Sequence, residues 1–422
     1  MKNKPIISFV GLTHLGLNYL AASSKKNFKI LGFDRDKLKI QNLNNGIIDY
    51  DEPGLKNLIS KNKKKIIFTN NFTKLKKSKL VFISEDVGTD KENNSDLKSL
   101  RKLINFTVKF LSKKTKLIIL SQSKPGFIRS IKYDHNKLYY QVETLIFGNA
   151  INRAIKPERF IIGQKNNHKK IDNDYLKYLN SFRCPIIKMN YESAEITKIA
   201  INLLLASSIT TSNILSEICE ICHANWREII PAIKLDRRIG KFSYINPGLG
   251  ISGGNIERDI VTAIKLSKKK TPSNILLKSL VQNSKHMKDW VYRVIKKNKL
   301  LSLNKKDNIG IIGVTYKENT NSIKNSPFLE LEKKINKVGK IFVFEPMAKI
   351  DFKRKNIIQT KNLNEFFLKN KVIVFLRPFK NINIFNPYLK IIKNKIVIDP
   401  YGVLKEKLRN IEVKKYYTLG TN

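Results

Sequence analysis

Short apolar runs alternate with longer amphipathic stretches through the first half of the chain. The runs of strand length lie at 6–10, 29–33, 66–68, 80–84 and 117–121. Segments between them have the mixed polarity of surface helices. Strands that alternate with helices indicate a parallel, doubly wound sheet, so the pattern predicts one α/β domain over residues 1–190.

Helical periodicity begins at about residue 192 and continues to about 297, apart from a glycine-rich loop at 246–255. A second alternating segment starts at 308, with strand-length runs at 341–344, 372–376 and 396–398. The fold class that we predict is α/β, with two Rossmann-like doubly wound domains joined by a central helical domain. The predicted domains are 1–190, 191–303 and 304–422.

The net charge of +47 comes from lysines that are scattered through every segment. Asparagine and isoleucine are frequent as well, a combination typical of A/T-rich coding sequence. A nucleic-acid-binding protein would instead gather its charge on one continuous face, and this function stays open as a minor alternative. We therefore expect no nucleic-acid partner and no metal site, and we expect the charge to attract small phosphorylated substrates.

No apolar window reaches the roughly 18 uninterrupted residues of a membrane-spanning helix. The apolar run at 6–10 leads into a glycine turn and lacks the cleavage site of a signal peptide. We expect no membrane partner and a cytoplasmic location.

The three cysteines, Cys184, Cys219 and Cys222, are too few for a disulfide scaffold. Cys219 and Cys222 form a C-x-x-C-H string with His223, which is one pattern for haem or redox chemistry. The isoleucines around them follow a helical spacing, however. The pattern therefore favours small apolar side chains that fill space on a helix.

The first chemical motif is GLTHLG at 11–16, between a predicted strand and a predicted helix. A dinucleotide-binding turn has G-x-G-x-x-G here, because the backbone and the helix N-terminus must approach a pyrophosphate. Thr13 replaces the middle glycine and is expected to crowd the phosphates. Asp34 ends the second strand, where a carboxylate can accept both ribose hydroxyls, which favours NAD over NADP.

Two further motifs supply candidate catalytic groups. Lys198 and Asn202 are four residues apart on a predicted helix and share one face, where an ammonium and an amide can hold an oxyanion or a water. The loop at 246–255 has four glycines in seven positions, so its backbone can close around a ligand. Asp259 follows this loop as a candidate base, and Arg238 precedes it as a partner for a phosphate or carboxylate.

The last motif, at 313–327, follows the strand that opens the last predicted domain. Ser326 and Pro327 are typical of a helix start, with a serine N-cap and a proline in the first turn. Lys317 is long enough to reach a phosphate, and a solvated loop before a capped helix is the structural alternative.

Together these strings resemble the UDP-glucose/GDP-mannose dehydrogenase family over nearly the whole chain. Each motif is common alone, but the series in this order is specific. After the glycine turn the matching strings are GFD at 32–34, EPGL at 52–55, a degraded S-T-V turn at 121–126, P-x-R-x-x-x-G at 157–163, the K-x-x-x-N helix, D-x-R-I-G at 236–240, the glycine loop that ends in a basic residue and Asp, and the K-x-x-T…S-P segment.

The resemblance implies an NAD-dependent oxidation of a nucleotide sugar at C6, from the alcohol to the carboxylate, with UDP or GDP as the nucleotide. It implies NAD binding by the first domain, homodimer formation by the middle one and nucleotide-sugar binding by the last. The implied cofactor-binding residues are Gly11, Thr13, Gly16, Asp34, Lys39 and Gln122. The implied substrate-binding residues are Arg238, which reaches the neighbouring subunit's site, Gly250 and Lys317. The implied catalytic residues are Glu143 beside the sugar and the hydrolytic water, Lys198 and Asn202 at the developing oxyanion, and Asp259 for proton transfer.

Asn255 departs from the family pattern, because it occupies the position of the catalytic cysteine. An amide cannot form the thiohemiacetal and thioester through which the aldehyde becomes an acid. Other departures surround both ligand pockets: Gln122 for threonine, Phe147 for an acid, Glu85-Asp86-Val87 for Pro-Thr-Pro, Ser322 for aspartate, Lys324 for arginine and Tyr401 for arginine.

We therefore expect a dehydrogenase that carries out the alcohol–aldehyde step, with the second oxidation slow or absent. A non-catalytic binder of NAD or a nucleotide sugar is one alternative. A 3-hydroxyacid-type dehydrogenase is another, since such enzymes share the first domain and a lysine–asparagine pair, although they generally lack the last domain.

Overall fold

The computed structural model describes residues 5–90, 94–301, 307–318, 320–335, 339–346, 355–409, 411 and 413–421. The chain divides into two compact units, Met1–Ile201 and Asn202–Asn422. The predicted boundary between 303 and 304 lies outside the described residues. Both predicted domain boundaries therefore stay predictions.

The first unit is built on a nearly all-parallel sheet. Its strands are β1 (Ile7–Val10), β2 (Ile30–Phe33), β3 (Ile66–Thr69), β4 (Leu80–Ile83), β5 (Lys116–Ile119), β6 (Leu138–Gln141), β7 (Phe160–Gln164) and β8 (Ile186–Asn190). In the described residues their order is β3-β2-β1-β4-β5-β6-β7-β8, and only β6 and β7 pair antiparallel. The order reverses between β1 and β4, which is where doubly wound sheets bind ligands.

Alternate residues of these strands face two separate apolar layers. Phe9 and Phe82 belong to one buried cluster, whereas Val10 and Ile83 belong to the other. Both faces of the sheet are therefore covered, as expected for strands that are apolar throughout. The helices of this unit are α1 (His14–Lys25), α2 (Lys37–Asn44), α3 (Leu55–Lys61), α4 (Leu97–Val108), α5 (Ala150–Ile155) and α6 (Asn173–Asn180).

A long helix, α7 (Tyr191–Ile221), begins in the first unit and ends in the second. It is the one helix among the described residues that is long and apolar enough to cross a membrane, and 39% of its most apolar window is buried. Core helices outside membranes meet the same criteria, so this property alone assigns no membrane.

The second unit combines helices with a smaller, all-parallel sheet. Its helices are α8 (Trp226–Leu235), α9 (Asn255–Leu266), α10 (Pro272–Lys288), α11 (Trp290–Lys297), α12 (Pro327–Lys334), α13 (Leu363–Lys369) and α14 (Leu389–Ile392). Its strands are β9 (Ile309–Ile312), β10 (Ile341–Phe344), β11 (Ile357–Gln359), β12 (Val372–Phe375), β13 (Ile396–Ile398) and β14 (Lys415–Tyr417). In the described residues their order is β11-β10-β9-β12-β13-β14.

The second sheet also has two apolar faces, since Ile311 and Ile312 belong to different buried clusters. Its order reverses between β9 and β12, as the order of the first sheet does between β1 and β4. The predicted fold class is confirmed: two doubly wound α/β regions, with a helical segment between them along the chain.

Candidate functional site

The turn between β1 and α1 has two positions that only glycine can occupy. Gly11 has a φ of +89°, and a Cβ on it would lie 2.8 Å from the Cβ of Glu85. A Cβ on Gly16 would lie 2.1 Å from the carbonyl oxygen of Gly11. The first and last glycines of the predicted motif are therefore required by close backbone packing.

Thr13 takes the place of the middle glycine and connects α1 to the loop after β4. Its hydroxyl donates to the carbonyl oxygen of Ser84 at 3.2 Å and accepts from the amide of Asp86 at 2.9 Å. The carboxylate of Asp86 in turn accepts from the amide of Leu15, in the first turn of α1, at 3.2 Å. The pyrophosphate end of the predicted NAD site is therefore altered by two side chains.

Asp34 lies directly after β2, as predicted. Its Oδ2 accepts from the amide of Leu12 at 3.0 Å and from Nζ of Lys39 at 3.1 Å. Burial opposes the charged form of Lys39, but Asp34 outweighs it, so the pKa of the ammonium is raised. The two side chains, with Gly11 and Glu85, line a cavity of about 60 Å³. This pair fits the adenosine ribose of NAD, whose hydroxyls a carboxylate can accept.

Gln122 lies in the turn after β5, and this turn is anchored by an acid on α7. Glu195 is fully buried. Burial raises the pKa of Glu195, and three donors oppose that shift. The donors are Ser123 Oγ at 3.0 Å, the Gly126 amide at 2.7 Å and the Ile128 amide at 3.0 Å. This anchoring was not predicted from the sequence, although an acid one turn before Lys198 on an apolar helix was the signal for it.

Glu143 and Lys198 form one pair of predicted catalytic residues. Nζ of Lys198 lies 3.5 Å from Oε2 of Glu143, and the side chains are 11% and 15% exposed. The other carboxylate oxygen of Glu143 accepts from the Leu145 amide. The ammonium is therefore held beside a carboxylate that the local backbone fixes in place.

Asn202 and Asp259 form a second pair, within the second unit. The amide of Asn202 donates to Oδ2 of Asp259 at 2.5 Å, and both residues are buried. Nε of Arg258 lies 3.4 Å from the other oxygen of the same carboxylate. An amide and a guanidinium thus hold the two carboxylate oxygens of Asp259 in a fixed orientation, and a proton acceptor depends on such positioning.

Asn255 begins α9 and is exposed. The glycine loop before it is bonded to the motif at 313–327, since the amide of Gly253 donates to the Lys324 carbonyl at 3.1 Å and Asn325 Nδ2 donates to the Gly253 carbonyl at 2.9 Å. Gly250 has a φ of +70°, and a Cβ there would lie 2.3 Å from the Ser284 carbonyl oxygen. The loop around position 255 is therefore closely fixed.

The two remaining predicted substrate contacts lie in different surroundings. The side chain of Arg238 is 89% exposed, and its guanidinium makes a bidentate contact with Asp236, at 3.0 and 2.6 Å. Nζ of Lys317 lies 5.5 Å from the ring centroid of Tyr316. Arg238 is exposed, and its role in a neighbouring subunit's site stays a prediction.

A cluster at the start of α1, in which His14 and Glu52 are buried and Phe147 is partly exposed, was not predicted from the sequence. Nε2 of His14 lies 2.8 Å from Glu52, and the His14 ring stacks on Phe147 with centroids 4.0 Å apart. Burial acts to raise the pKa of Glu52, but His14 and the amides of Gly148 and Ala150 outweigh it, so the pKa is lowered. Phe147, at the position of an expected acid, is therefore part of a packed aromatic contact.

The cysteines take up packing and surface positions. Cys219 is buried with Trp226 and Ile245, which confirms its prediction as an apolar filler. The same prediction is wrong for Cys222, which lies beyond the end of α7 and is exposed. Cys184 packs against the core of the first unit.

Three family models match the chain in succession. They are the NAD binding domain of the UDP-glucose/GDP-mannose dehydrogenase family at residues 6–180, its central domain at 192–285 and its UDP binding domain at 310–406. Among curated proteins, the UDP-glucose 6-dehydrogenase of Rickettsia typhi is 25% identical and covers 98% of this chain, with 99% of its own length matched. The UDP-glucose 6-dehydrogenase TuaD of Bacillus subtilis is 26% identical over 81% of this chain and 76% of its own length.

Solved structures give the same fold. A UDP-glucose dehydrogenase from Pyrobaculum islandicum superposes with a TM-score of 0.85 at 18% identity, covering 100% of this chain and 98% of its own. A UDP-D-ManNAc dehydrogenase from Pyrococcus horikoshii superposes with a TM-score of 0.82 at 19% identity, covering 98% of this chain and 99% of its own.

Proposed function

Because the chain belongs to the UDP-glucose/GDP-mannose dehydrogenase family, we propose that it oxidises the C6 alcohol of a UDP-sugar to the aldehyde. NAD, bound by the first unit, supplies the hydride acceptor. UDP is the nucleotide that we favour, because the third matching model describes a UDP binding domain and relatives carry UDP-glucose in their names. The sugar itself is identified only as one with a primary alcohol at C6.

The observation that carries the proposal is the buried Asn202–Asp259 pair. Removal of a hydride from C6 requires loss of the hydroxyl proton, and Asp259 is oriented to accept it. The amide of Asn202 and the ammonium of Lys198 are placed on α7 one turn apart, and both can stabilise negative charge on the substrate oxygen. None of these steps needs a thiol.

Asn255 is the reason that the reaction ends at the aldehyde. The second oxidation of the family runs through a covalent thioester, and a carboxamide is not nucleophilic enough to form its equivalent. The proposal therefore predicts one NADH for each sugar consumed, and accumulation of an aldehyde that a carbonyl reagent traps.

The test is to incubate the protein with NAD and a panel of UDP-glucose, UDP-N-acetylmannosamine and GDP-mannose, and to count NADH against sugar. Asn255→Cys is expected to raise the ratio from one to two, and Asn255→Ser, which is small and polar but not a thiolate, is expected to leave it at one. Two NADH per sugar from the unmodified chain, at a rate similar to that of the Cys variant, would falsify the aldehyde limit.

We also propose that the protein is a homodimer, with α7 and α8 at the interface. Ile214, Ile218 and Ile221 follow one face of α7 and are 45%, 45% and 76% exposed, and Leu235 at the end of α8 is 83% exposed. A stripe of this kind is costly in water and suits burial against a second copy.

Light scattering of purified protein measures the oligomeric state. Ile218→Asp is expected to give monomers, whereas Leu38→Asp, at a leucine on α2 that is 65% exposed, is expected to leave the dimer intact. A wild-type monomer at micromolar concentration would contradict the dimer proposal without affecting the chemistry proposed above. A cytoplasmic location remains a prediction of the sequence analysis.

A further inference from the structure

Asp86 supplies a negative charge at the start of α1. Its carboxylate accepts from the amide of Leu15 at 3.2 Å, in the first turn of the helix, and burial raises the pKa of this carboxyl. Helix α1 follows directly from the glycine turn after β1, and its N-cap residue, Thr13, makes no side-chain capping bond. The amide of Leu15 is thus satisfied by an acid that comes from a different loop.

A dinucleotide needs these same donors. In doubly wound sheets the pyrophosphate lies against the first-turn amides, where unpaired N–H groups and the helix dipole favour an anion. A carboxylate bonded to the Leu15 amide uses one of these donors and places like charge next to the phosphates. The residues around the adenosine ribose fit NAD, whereas the residues at the pyrophosphate position do not fit it in this arrangement.

Thr13 determines where Asp86 lies. Its hydroxyl accepts from the amide of Asp86 at 2.9 Å and donates to the carbonyl of Ser84 at 3.2 Å, so the loop after β4 is attached to the start of α1. The backbone of Asp86 is therefore fixed, whereas its side chain belongs to a residue at the solvent-exposed surface and can turn away from the Leu15 amide.

We infer that Asp86 acts as an internal competitor of the NAD pyrophosphate and sets the affinity of the chain for its cofactor. NAD binds only when the carboxylate leaves the Leu15 amide, and the charge that remains nearby still weakens the complex. The inference rests on the proposed use of NAD, and it concerns the phosphates alone, because Asp34 and Lys39 recognise the ribose separately.

The experiment is calorimetric titration of the full chain with NAD, ADP and adenosine. Asp86→Asn keeps an oxygen that can accept from Leu15 but removes the charge. It is expected to bind NAD and ADP about tenfold more tightly than the wild type. Adenosine has no phosphate, so its affinity is expected to stay the same. Asp51→Asn removes one exposed acid before α3 and controls for net charge, with no change expected for any ligand.

The outcomes separate the inference from the proposed function. Equal NAD affinity in the wild type and Asp86→Asn overturns the inference and leaves the function standing. A gain that appears equally for adenosine or with Asp51→Asn also overturns it, since the effect would then not be specific to the phosphates. If Asp86→Asn, folded as judged by its thermal transition, binds neither NAD nor ADP, both the inference and the proposed function fail.

Discussion

The two sheets share a strand order, but they use the acid after the second strand in opposite ways. Asp34 follows β2, and its side chain is 14% exposed at the edge of a cavity. Glu345 follows β10 and its side chain has no exposed surface. A shared topology therefore places a carboxylate at the same point of each sheet, and local partners decide whether a ligand can reach it.

The residues that bond to Glu345 prevent a ligand from reaching the acid of the second sheet. The amide and hydroxyl of Thr315 donate to one oxygen at 3.1 and 3.0 Å, and Arg377, two residues after β12, donates to the other at 3.1 Å. A Cβ on Gly313 would lie 2.6 Å from Cγ of Arg377, so the arginine side chain packs directly against the glycine turn. Glu345 thus has a structural role, and the second unit must hold its nucleotide through other groups.

The largest expected effect comes from breaking the Glu345–Arg377 pair. Arg377→Met leaves a carboxylate buried without its counter-charge, which is expected to cost about 3–5 kcal/mol of unfolding free energy. Trp226 and Trp290 are the two tryptophans of the chain and both belong to the second unit, so denaturant titration followed by tryptophan fluorescence reports this loss.

Two variants complete that measurement. Adding Glu345→Gln to Arg377→Met removes the buried charge and is expected to recover more than half of the loss. Lys39→Met breaks the corresponding pair of the first unit, which is partly exposed, and is expected to cost about 1 kcal/mol or less by far-ultraviolet circular dichroism. Equal costs at Arg377 and Lys39 would remove the distinction between the two acids.

Asp34, the acid that a ligand can reach, was identified from the sequence. Asp34 is recognisable because its distance from the glycine turn is fixed by one strand–helix–strand unit, a local constraint. Lys39, five residues later, follows from the family pattern. The same logic predicted β1 to β5 with shifts of one or two residues, since each of these strands is a short run of mostly apolar residues.

The buried strands β6 and β7 were not predicted from the sequence. Other missed features depend on distant or mixed surroundings. β8 and β14 are edge strands with half-exposed residues, so their sequences, IIKMN and KYY, lack a buried-strand pattern. The bonds of Glu195 to the turn after β5, and of Asp86 to α1, join residues about 70 positions apart. The sequence showed that Asp86 departs from the family pattern. It did not show that the Asp86 carboxylate bonds to a helix amide.

A second prediction concerns binding. Asp34→Asn weakens the acceptor for the ribose hydroxyls and is expected to lower the affinity for NAD about tenfold, since hydrogen bonds to charged groups contribute roughly 1.5–3 kcal/mol. Glu345→Gln is expected to leave NAD affinity unchanged, because the Glu345 side chain is fully buried and a ligand cannot reach it. Calorimetric titration of both variants decides the matter, and a comparable loss in Glu345→Gln would mean that the second acid also takes part in cofactor binding.

The smallest expected effect is a difference in pH response. The pKa of Glu52, in the first unit, is lowered below its ordinary value, so its contribution to stability is present at neutral pH and is lost as pH falls through the folded-state pKa. Burial raises the pKa of Asp399, in the second unit, so its contribution to stability is full at low pH and is lost as pH rises through the folded-state pKa.

On acidification from neutral pH, the unfolding free energy of the wild type should fall relative to that of Glu52→Gln and rise relative to that of Asp399→Asn, each by about 1 kcal/mol or less. Circular dichroism follows the first comparison and tryptophan fluorescence the second, and parallel pH curves for the wild type and both variants would show that neither carboxyl group couples stability to pH.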